Sequence, residues 1–298
     1  MEQRAPLPMN EAPMHSINPD PKKQKKRGRS ISFNVASVFL ALVIFSGLFA
    51  SSLAPFSFEF QNLDERLLGP SLQHLMGTDS LGRDLFSRIL FGARISLFIG
   101  LATASISLVI GTFIGAVSGF RGGAFDIVTT RIVEFFYAIP SLLLAILIGL
   151  MFKNSVSTLV LSISVTAWMT HARLVRGLVI QTKNLPFVEA ATATGASQTR
   201  IFFKHILPQL WPAILVSLGF QVPSSIMAES FLSFVGLGIS PPMASWGSLA
   251  SDGFRAIQSY PYLAIFPCSM LFLTLVSLQF VAERVRERAE LSQPARFD

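Results

Sequence analysis

The side chains able to do chemistry in this 298-residue chain gather in two short stretches. The first reads Gly77-Thr78-Asp79-Ser80-Leu81-Gly82-Arg83-Asp84-Leu85-Phe86-Ser87-Arg88. Asp84 and Arg88 are spaced for an i, i+4 ion pair. Leu81, Leu85 and Ile89 form one apolar stripe at helical period, and Thr78, Asp79 or Ser80 offers a cap. The pattern predicts an amphipathic helix lying on a membrane surface or across another helix. Its charges do not converge as a catalytic set does, so a structural brace is favoured over a ligand site. The second stretch is Asn184-Leu185-Pro186-Phe187-Val188-Glu189-Ala190-Ala191-Thr192-Ala193-Thr194-Gly195. Pro186 suits the first helical position and Glu189 the dipole of the opening turns. Gly195 suits the left-handed residue that ends such a helix, and Ser197 caps a second one running to Leu207. Pro208 and Pro212 are expected to limit that second helix and mark a turn, with Arg200 and Lys204 on one of its faces. Ala190 and Ala191 leave a low surface. On residue types alone, this hairpin either packs on its own bundle or receives another protein.

The remaining ionisable groups narrow the function class. Glu229 sits inside an apolar run, where an acid marks a pairing, pathway or gating role. Of these, a structural or gating role is favoured over contact with cargo. Arg131 and Glu134 are spaced as an i, i+3 pair. His171 is expected at a membrane interface. His74, His171 and His205 fall on different faces or spans, so no metal ligand set is expected. Cys268 stands alone, which excludes an intrachain disulfide and a cysteine-based zinc site. No nucleophile is matched to a base, so no catalytic residue is assigned. No glycine-rich phosphate loop with Lys-Ser or Lys-Thr occurs, so no nucleotide or other cofactor is expected in this chain.

These stretches must be positioned by membrane-spanning helices. Hydrophobic residues make up 51% of the chain and charged ones 14%, against roughly 25% charged in an average soluble domain. The deficit of polar surface points to a lipid bilayer as solvent. Uncharged runs long enough for helices cover 31–58, 95–120, 135–152, 154–170, 206–228 and 256–282. The run 230–251 carries Gly236, Gly238, Pro241, Pro242 and Gly247, and is expected to be the end of the fifth span plus an external loop. The fold class is therefore an all-α integral membrane protein with six transmembrane helices. Eighteen of the 24 Lys and Arg residues fall on the side that holds both termini and the loop 171–205. That side is expected to be cytoplasmic. Residues 1–30 read as a disordered basic cytoplasmic tail; its cluster is too short to suggest nucleic acid. Residues 31–93 read as the first span plus the external segment, 94–288 as the transmembrane core, and 289–298 as a cytoplasmic tail.

The second stretch resembles the cytoplasmic motif of ABC importer permeases: Glu189-Ala190-Ala191, then Gly195, then His205-Ile206-Leu207-Pro208. The His-Ile-Leu-Pro ending, with its isoleucine one place later than the general pattern, is similar to the peptide-transporter branch. Gly77-Thr78-Asp79, Gly82-Arg83-Asp84, Ser87-Arg88, Gly92-Ala93-Arg94 and Ser96-Leu97 resemble a signature of one permease of the dipeptide, oligopeptide and nickel importers. Glu229 to Gly238, Pro241-Pro242 and Trp246-Gly247 resemble a third block of that family. The likeness covers roughly 31–288.

The resemblance implies a type I ABC importer permease fold in the bacterial inner membrane. It implies ATPase docking through coupling helices within 186–208, at Glu189, Ala190, Ala191, Gly195, Leu207 and Pro208. It implies a heterodimer with a sister permease, two ATPase subunits that bind ATP and Mg, and an extracytoplasmic solute-binding protein. The cargo it implies is a di- or oligopeptide, with chelated nickel or another small solute as alternatives. A secondary transporter or channel working without an ATPase is the rival class, compatible with helices broken at Pro212, Pro223 and Pro267.

Overall fold

A computed structural model of the chain describes residues 21–291. The first twenty residues of the basic tail and the end of the C-terminal tail lie outside the described residues. The described chain is helical, and its one β-bridge joins Thr78 to Asp84. Helix α1 spans Pro21–Leu48 and so reaches into the segment expected to be tail. Helix α2, Leu85–Arg121, has 37 residues. At 1.5 Å per residue it is roughly 55 Å long, well beyond the roughly 30 Å hydrocarbon core. It therefore serves as the mast of the molecule.

Three apolar clusters are stacked along that mast. Near its start, Leu85, Ile89 and Ala93 pack with Val43 of α1 and with Trp246 and Leu249. In its middle, Ile99 meets Ala145, Leu159, Ile163 and Leu232. Near its end, Ala116 meets Val175, Val179, Val188, Ile206 and Ile214.

Helix α5, Val156–Lys183, makes the most extensive contact with α2. The reason lies in three glycines one turn apart. A Cβ on Gly111 would lie 2.5 Å from the Trp168 carbonyl oxygen, on Gly115 2.3 Å from that of Ala172, and on Gly119 2.8 Å from that of Arg176. In lipid no apolar driving force separates protein from solvent, so close backbone approach supplies the attraction.

Two expectations about spans change. The run 135–152 is not one straight span. It forms the end of α3, Gly123–Tyr137, and α4, Ser141–Met151, which meet at 84°. Pro140 lacks an N–H and forbids a helical residue before it, so the chain turns there. Four helices are long and apolar enough to cross a membrane by length and composition, five if the bent pair counts as one span. The apolar part of α1, Ser32–Leu48, is shorter. The expected six is thus not reproduced on that criterion among the described residues.

The second half also differs from expectation. Pro208 does not end a helix. After α6, Pro186–Ala193, the chain runs through one long helix, α7, Gln198–Leu237. Its turns over Ile201–Ile206 are widened to π geometry. That widening accommodates the ring and the missing donor of Pro208, a usual origin of π-bulges and kinks. The run after α7 is not simply a loop. It contains α8, Trp246–Arg255, started by a reciprocal cap between Ser245 and Ser248. Helix α9, Tyr262–Leu291, closes the fold against α1, α7 and α8.

Replacing Gly115 by leucine should force α2 and α5 apart. Overpacking of this kind costs about 3 kcal/mol or more. The folded yield in detergent should collapse. Gly177→Leu, at a site where a Cβ meets nothing within 4 Å, should leave it near wild type.

Candidate functional site

The hairpin 186–208 is the feature most exposed to a partner. Pro186 occupies the first turn of α6 and Glu189 follows in it. The helix ends as its sequence dictates. Gly195 has φ of 80°, its N–H donates to the Thr192 carbonyl at 3.0 Å, and the Ala196 N–H donates to the Ala191 carbonyl at 3.1 Å. These two bonds are the Schellman closure, and only glycine reaches that backbone region without cost. Ser197 then accepts from the Arg200 N–H at 3.3 Å and starts α7.

One side of the hairpin is anchored and the other is bare. Val188 and Ile201 are buried against Val175 and Val179 of α5, with Ala191 and Ala196 half-buried beside them. Glu189, Ala190, Ala193 and Gly195 are exposed. The Glu189 carboxylate makes no hydrogen bond or ion pair among the described residues. Leu207 is half-buried and Pro208 exposed where the hairpin enters α7.

The base of the hairpin is held by a polar clamp that sequence reading missed. Arg176 of α5 donates from Nε and Nη2 to the two carboxylate oxygens of Asp126 on α3, each at 2.6 Å. The Ser118 hydroxyl of α2 also donates to Asp126. Lys183 at the end of α5 donates to the Phe120 carbonyl at 3.3 Å. Three helix ends are thus tied beneath the hairpin. A bidentate arginine–carboxylate pair is directional as well as strong. Its partners are 50 residues apart, so spacing alone could not pair them; the one signal was an acid in an apolar run. The pair Arg131–Glu134, by contrast, forms as its spacing predicts, at 2.9 Å and exposed.

The block 77–88 is a folded knot at the start of α2. Asp79 accepts from Arg83 Nε at 2.7 Å and from Arg88 Nη1 at 2.6 Å. Its other oxygen accepts from the N–H groups of Leu81 at 2.8 Å and Arg83 at 3.0 Å. The expected Asp84–Arg88 pair does not form. Asp84 instead caps α2 by accepting from the Ser87 N–H at 2.7 Å, and meets His74 Nδ1 at 2.9 Å. The helix begins at Leu85 rather than near Leu81 and runs on into the span, so there is no separate surface helix. Asp84 is committed to the Ser87 N–H and to His74, and the buried Arg88 donates to Asp79 instead. Gly82 lets the turn lie against Asn62, whose carbonyl oxygen would be 1.7 Å from a Cβ. Gly77 has φ of 80° and Thr78 is fully buried, accepting from the Leu68 N–H at 2.9 Å and offering its carbonyl to Tyr262.

Glu229 is also fully buried. Its carboxylate accepts from Ser233 at 2.7 Å, from Ser245, and from Ser230 at 3.4 Å. It ties α7 to the start of α8. Trp246 next to Ser245 donates from its indole N–H to the Ile89 carbonyl at 3.0 Å, and its backbone N–H donates to the Ser96 hydroxyl. Glu229, Trp246 and the 77–88 knot therefore brace one end of α2, while the hairpin sits at the other. Among the described residues no three His, Cys, Asp or Glu side chains are grouped to hold a metal. His171 is buried within the bundle.

Comparison with known proteins fits this two-ended architecture. Residues 111–289 match the family described as the inner membrane component of binding-protein-dependent transport systems. The chain is 40% identical over 253 residues to the oligopeptide transport system permease protein OppC of Bacillus subtilis, covering 85% of this chain and 83% of that one. This chain belongs to that family of ABC importer permeases. The permease is likewise 40% identical to the dipeptide transport system permease protein DppC of Bacillus subtilis, over 85% of this chain and 80% of that one. It is 35% identical to the glutathione transport system permease protein GsiD of Pectobacterium atrosepticum, over 85% and 84%. Its fold matches the MetNI methionine ABC transporter in inward-facing conformations, with a TM-score of 0.53 at 17% identity, over 66% of this chain and 94% of that chain. The permease is therefore a multi-pass inner-membrane subunit of an ABC importer. ATP hydrolysis belongs to separate ATPase subunits, and a solute-binding component completes the system.

Replacing Asp79 by asparagine would leave Arg83 and Arg88 buried without the carboxylate to which both donate. Breaking one side of a buried ionic cluster costs about 3–5 kcal/mol. Glu134→Gln, in an exposed pair, should cost less than about 1 kcal/mol. Thermal inactivation of the purified permease in detergent should separate the two variants clearly.

Proposed function

We propose that this permease forms half of the passage of an ATP-driven peptide importer and takes its power stroke through the hairpin 186–208. The observation that carries this is a hairpin anchored on one face, bare on the other, and tied at its base to three helix ends. Such an element moves as a rigid body, and it can shift α2, α3 and α5 together. ATP and Mg would be held by the two ATPase subunits, which meet Glu189, Ala190, Ala191 and Gly195. Leu207 and Pro208 then join the hairpin to α7. Ligand binding at one end and nucleotide binding at the other are coupled only if each prefers a different state of this bundle.

The names of the relatives support a di- or oligopeptide as cargo: oligopeptides, dipeptides and glutathione share an amide backbone and paired terminal charges. A sister permease completes the passage, because one bundle of this size leaves its cavities open on one side. The heterodimer is supported by the 77–88 block, whose pattern resembles that of one permease type of such systems. Both termini are proposed as cytoplasmic, from the bias of Lys and Arg. The 77–88 knot and the 238–245 turn then lie outside, where a binding protein would deliver cargo. Glu229, with all its acceptors engaged by serines, is proposed as a structural brace of the outer gate rather than a cargo contact.

Glu189→Lys should abolish ATP-dependent uptake in reconstituted vesicles, because it puts a cation where the helix dipole and the partner meet an anion. Gly195→Val should do the same by straining the Schellman closure, at a cost of about 1–2 kcal/mol that redirects the hairpin. Both variants should still insert and co-purify with the sister permease. Uptake at wild-type rate in both would refute the coupling role.

A further inference from the structure

The passage itself needs a place where cargo is held, and one cavity has the chemistry for it. It has a volume of about 560 Å³ and lies between α5, α7 and the end of α9. Its walls are largely apolar, from Leu174, Val216 and Phe220, with polar groups at fixed points. His171 of α5 lines it and is only 2% exposed, yet neither ring nitrogen has a hydrogen-bond partner. The Ala167 carbonyl one turn back is near but outside hydrogen-bond geometry. A buried imidazole without a partner is costly and calls for an explanation.

Facing it along α7 are Ser217, Gln221 and Ser224, at i, i+4 and i+7. Both serine hydroxyls and one of the two Gln221 N–H donors are already used within the helix. The Ser217 hydroxyl donates to the Ile214 carbonyl, the Ser224 hydroxyl to the Phe220 carbonyl, and the Gln221 amide to the Ser225 hydroxyl at 3.3 Å. What remains are acceptor lone pairs of the serines and of the Gln221 amide oxygen, together with the second Gln221 N–H. At the far end stand Arg286 and Glu290, an exposed ion pair at 3.6 Å, with Arg286 also donating to Glu283 at 2.8 Å.

We propose that this cavity is a transient cargo site for the backbone of a short zwitterionic peptide, with His171 and Gln221 as its recognising side chains. The inference rests on the peptide reading given above. The acceptors of α7 suit peptide N–H groups, the histidine suits a peptide carbonyl or N–H, and the apolar wall tolerates varied side chains. Nothing in the cavity reads a particular side chain, as suits a carrier for more than one sequence. The Arg286–Glu290 pair offers both signs of charge for the peptide termini at the exit. A volume of this size lies within the usual range of small-molecule sites.

The test uses the complete transporter in vesicles, with sister permease, ATPases and binding protein, and compares a radiolabelled tripeptide with chelated nickel. Gln221→Leu and His171→Phe are each assembled the same way, and co-purification verifies assembly. Gln221 is half-buried and close to leucine in volume, so Gln221→Leu keeps the test valid if His171→Phe fails to assemble. Each variant should lower tripeptide uptake about tenfold at subsaturating cargo, the size expected for one buried hydrogen bond left unmade. ATPase activity without cargo should stay at wild-type level, a split that a merely structural role would not produce. A second readout uses the single cysteine. In a Cys268→Ala background, Gln221→Cys should react with a water-soluble methanethiosulfonate, and excess tripeptide under turnover should slow that reaction. Tripeptide uptake unchanged in Gln221→Leu, or labelling indifferent to tripeptide, overturns the site while leaving the peptide reading intact. Wild-type transport of nickel chelate but not tripeptide overturns the peptide reading, and this site with it.

Discussion

The backbone approach of α2 to α5 is the contact on which the rest of the molecule depends. Three glycines on α2 let the carbonyls of Trp168, Ala172 and Arg176 come closer than any side chain would permit. Once those helices touch, Ser118 and Arg176 lie within reach of Asp126, and Val175 and Val179 form a floor for Val188. The hairpin 186–208 stands on that floor. Were α2 and α5 spaced as ordinary leucine-faced helices, at 8–10 Å between axes, the polar clamp and the hairpin would lose their common base.

The two ends of α2 solve different problems. At its start, charges are used up internally. Asp79 satisfies two buried arginines, Asp84 satisfies a helix end, and Glu229 collects three hydroxyls. Such an arrangement favours a fixed shape, because its carboxylates are spent on neighbouring groups of the chain itself. At the other end the chemistry is left open. Glu189 and the alanines beside it face outward, and His171 lies buried without a partner in a polar-edged cavity. A transporter needs this division. A stiff frame at one end lets movement at the other become a rigid-body shift rather than local deformation.

Proline plays a similar organising part. Pro140 breaks one expected span into α3 and α4, whereas Pro208 and Pro212 are absorbed within α7 by a stretch of π geometry. The outcome differs because of what surrounds each residue. The widened turns of α7 are packed through Ile201, Ile206 and Leu210, while α4 is short and held mainly by α5. Breakers read from a sequence mark strain; packing decides whether the strain becomes a corner or a bulge.

The sequence by itself determined the solvent, the chain's class and the local grammar of the hairpin 186–208. Low charge content demands lipid, and Pro186, Glu189, Gly195 and Ser197 each specify a backbone state through forces acting within a few residues. The Arg131–Glu134 pair was legible for the same reason. Tertiary structure decided everything that depends on partners far apart in the chain. Asp126 finds Arg176, Arg88 finds Asp79 instead of Asp84, Trp246 finds Ile89, and the glycines of α2 find the carbonyls of α5. Helical spacing names the neighbours on one helix, but it is silent about which face another helix will cover. That choice belongs to close packing, where one missing Cβ sets which backbones can touch.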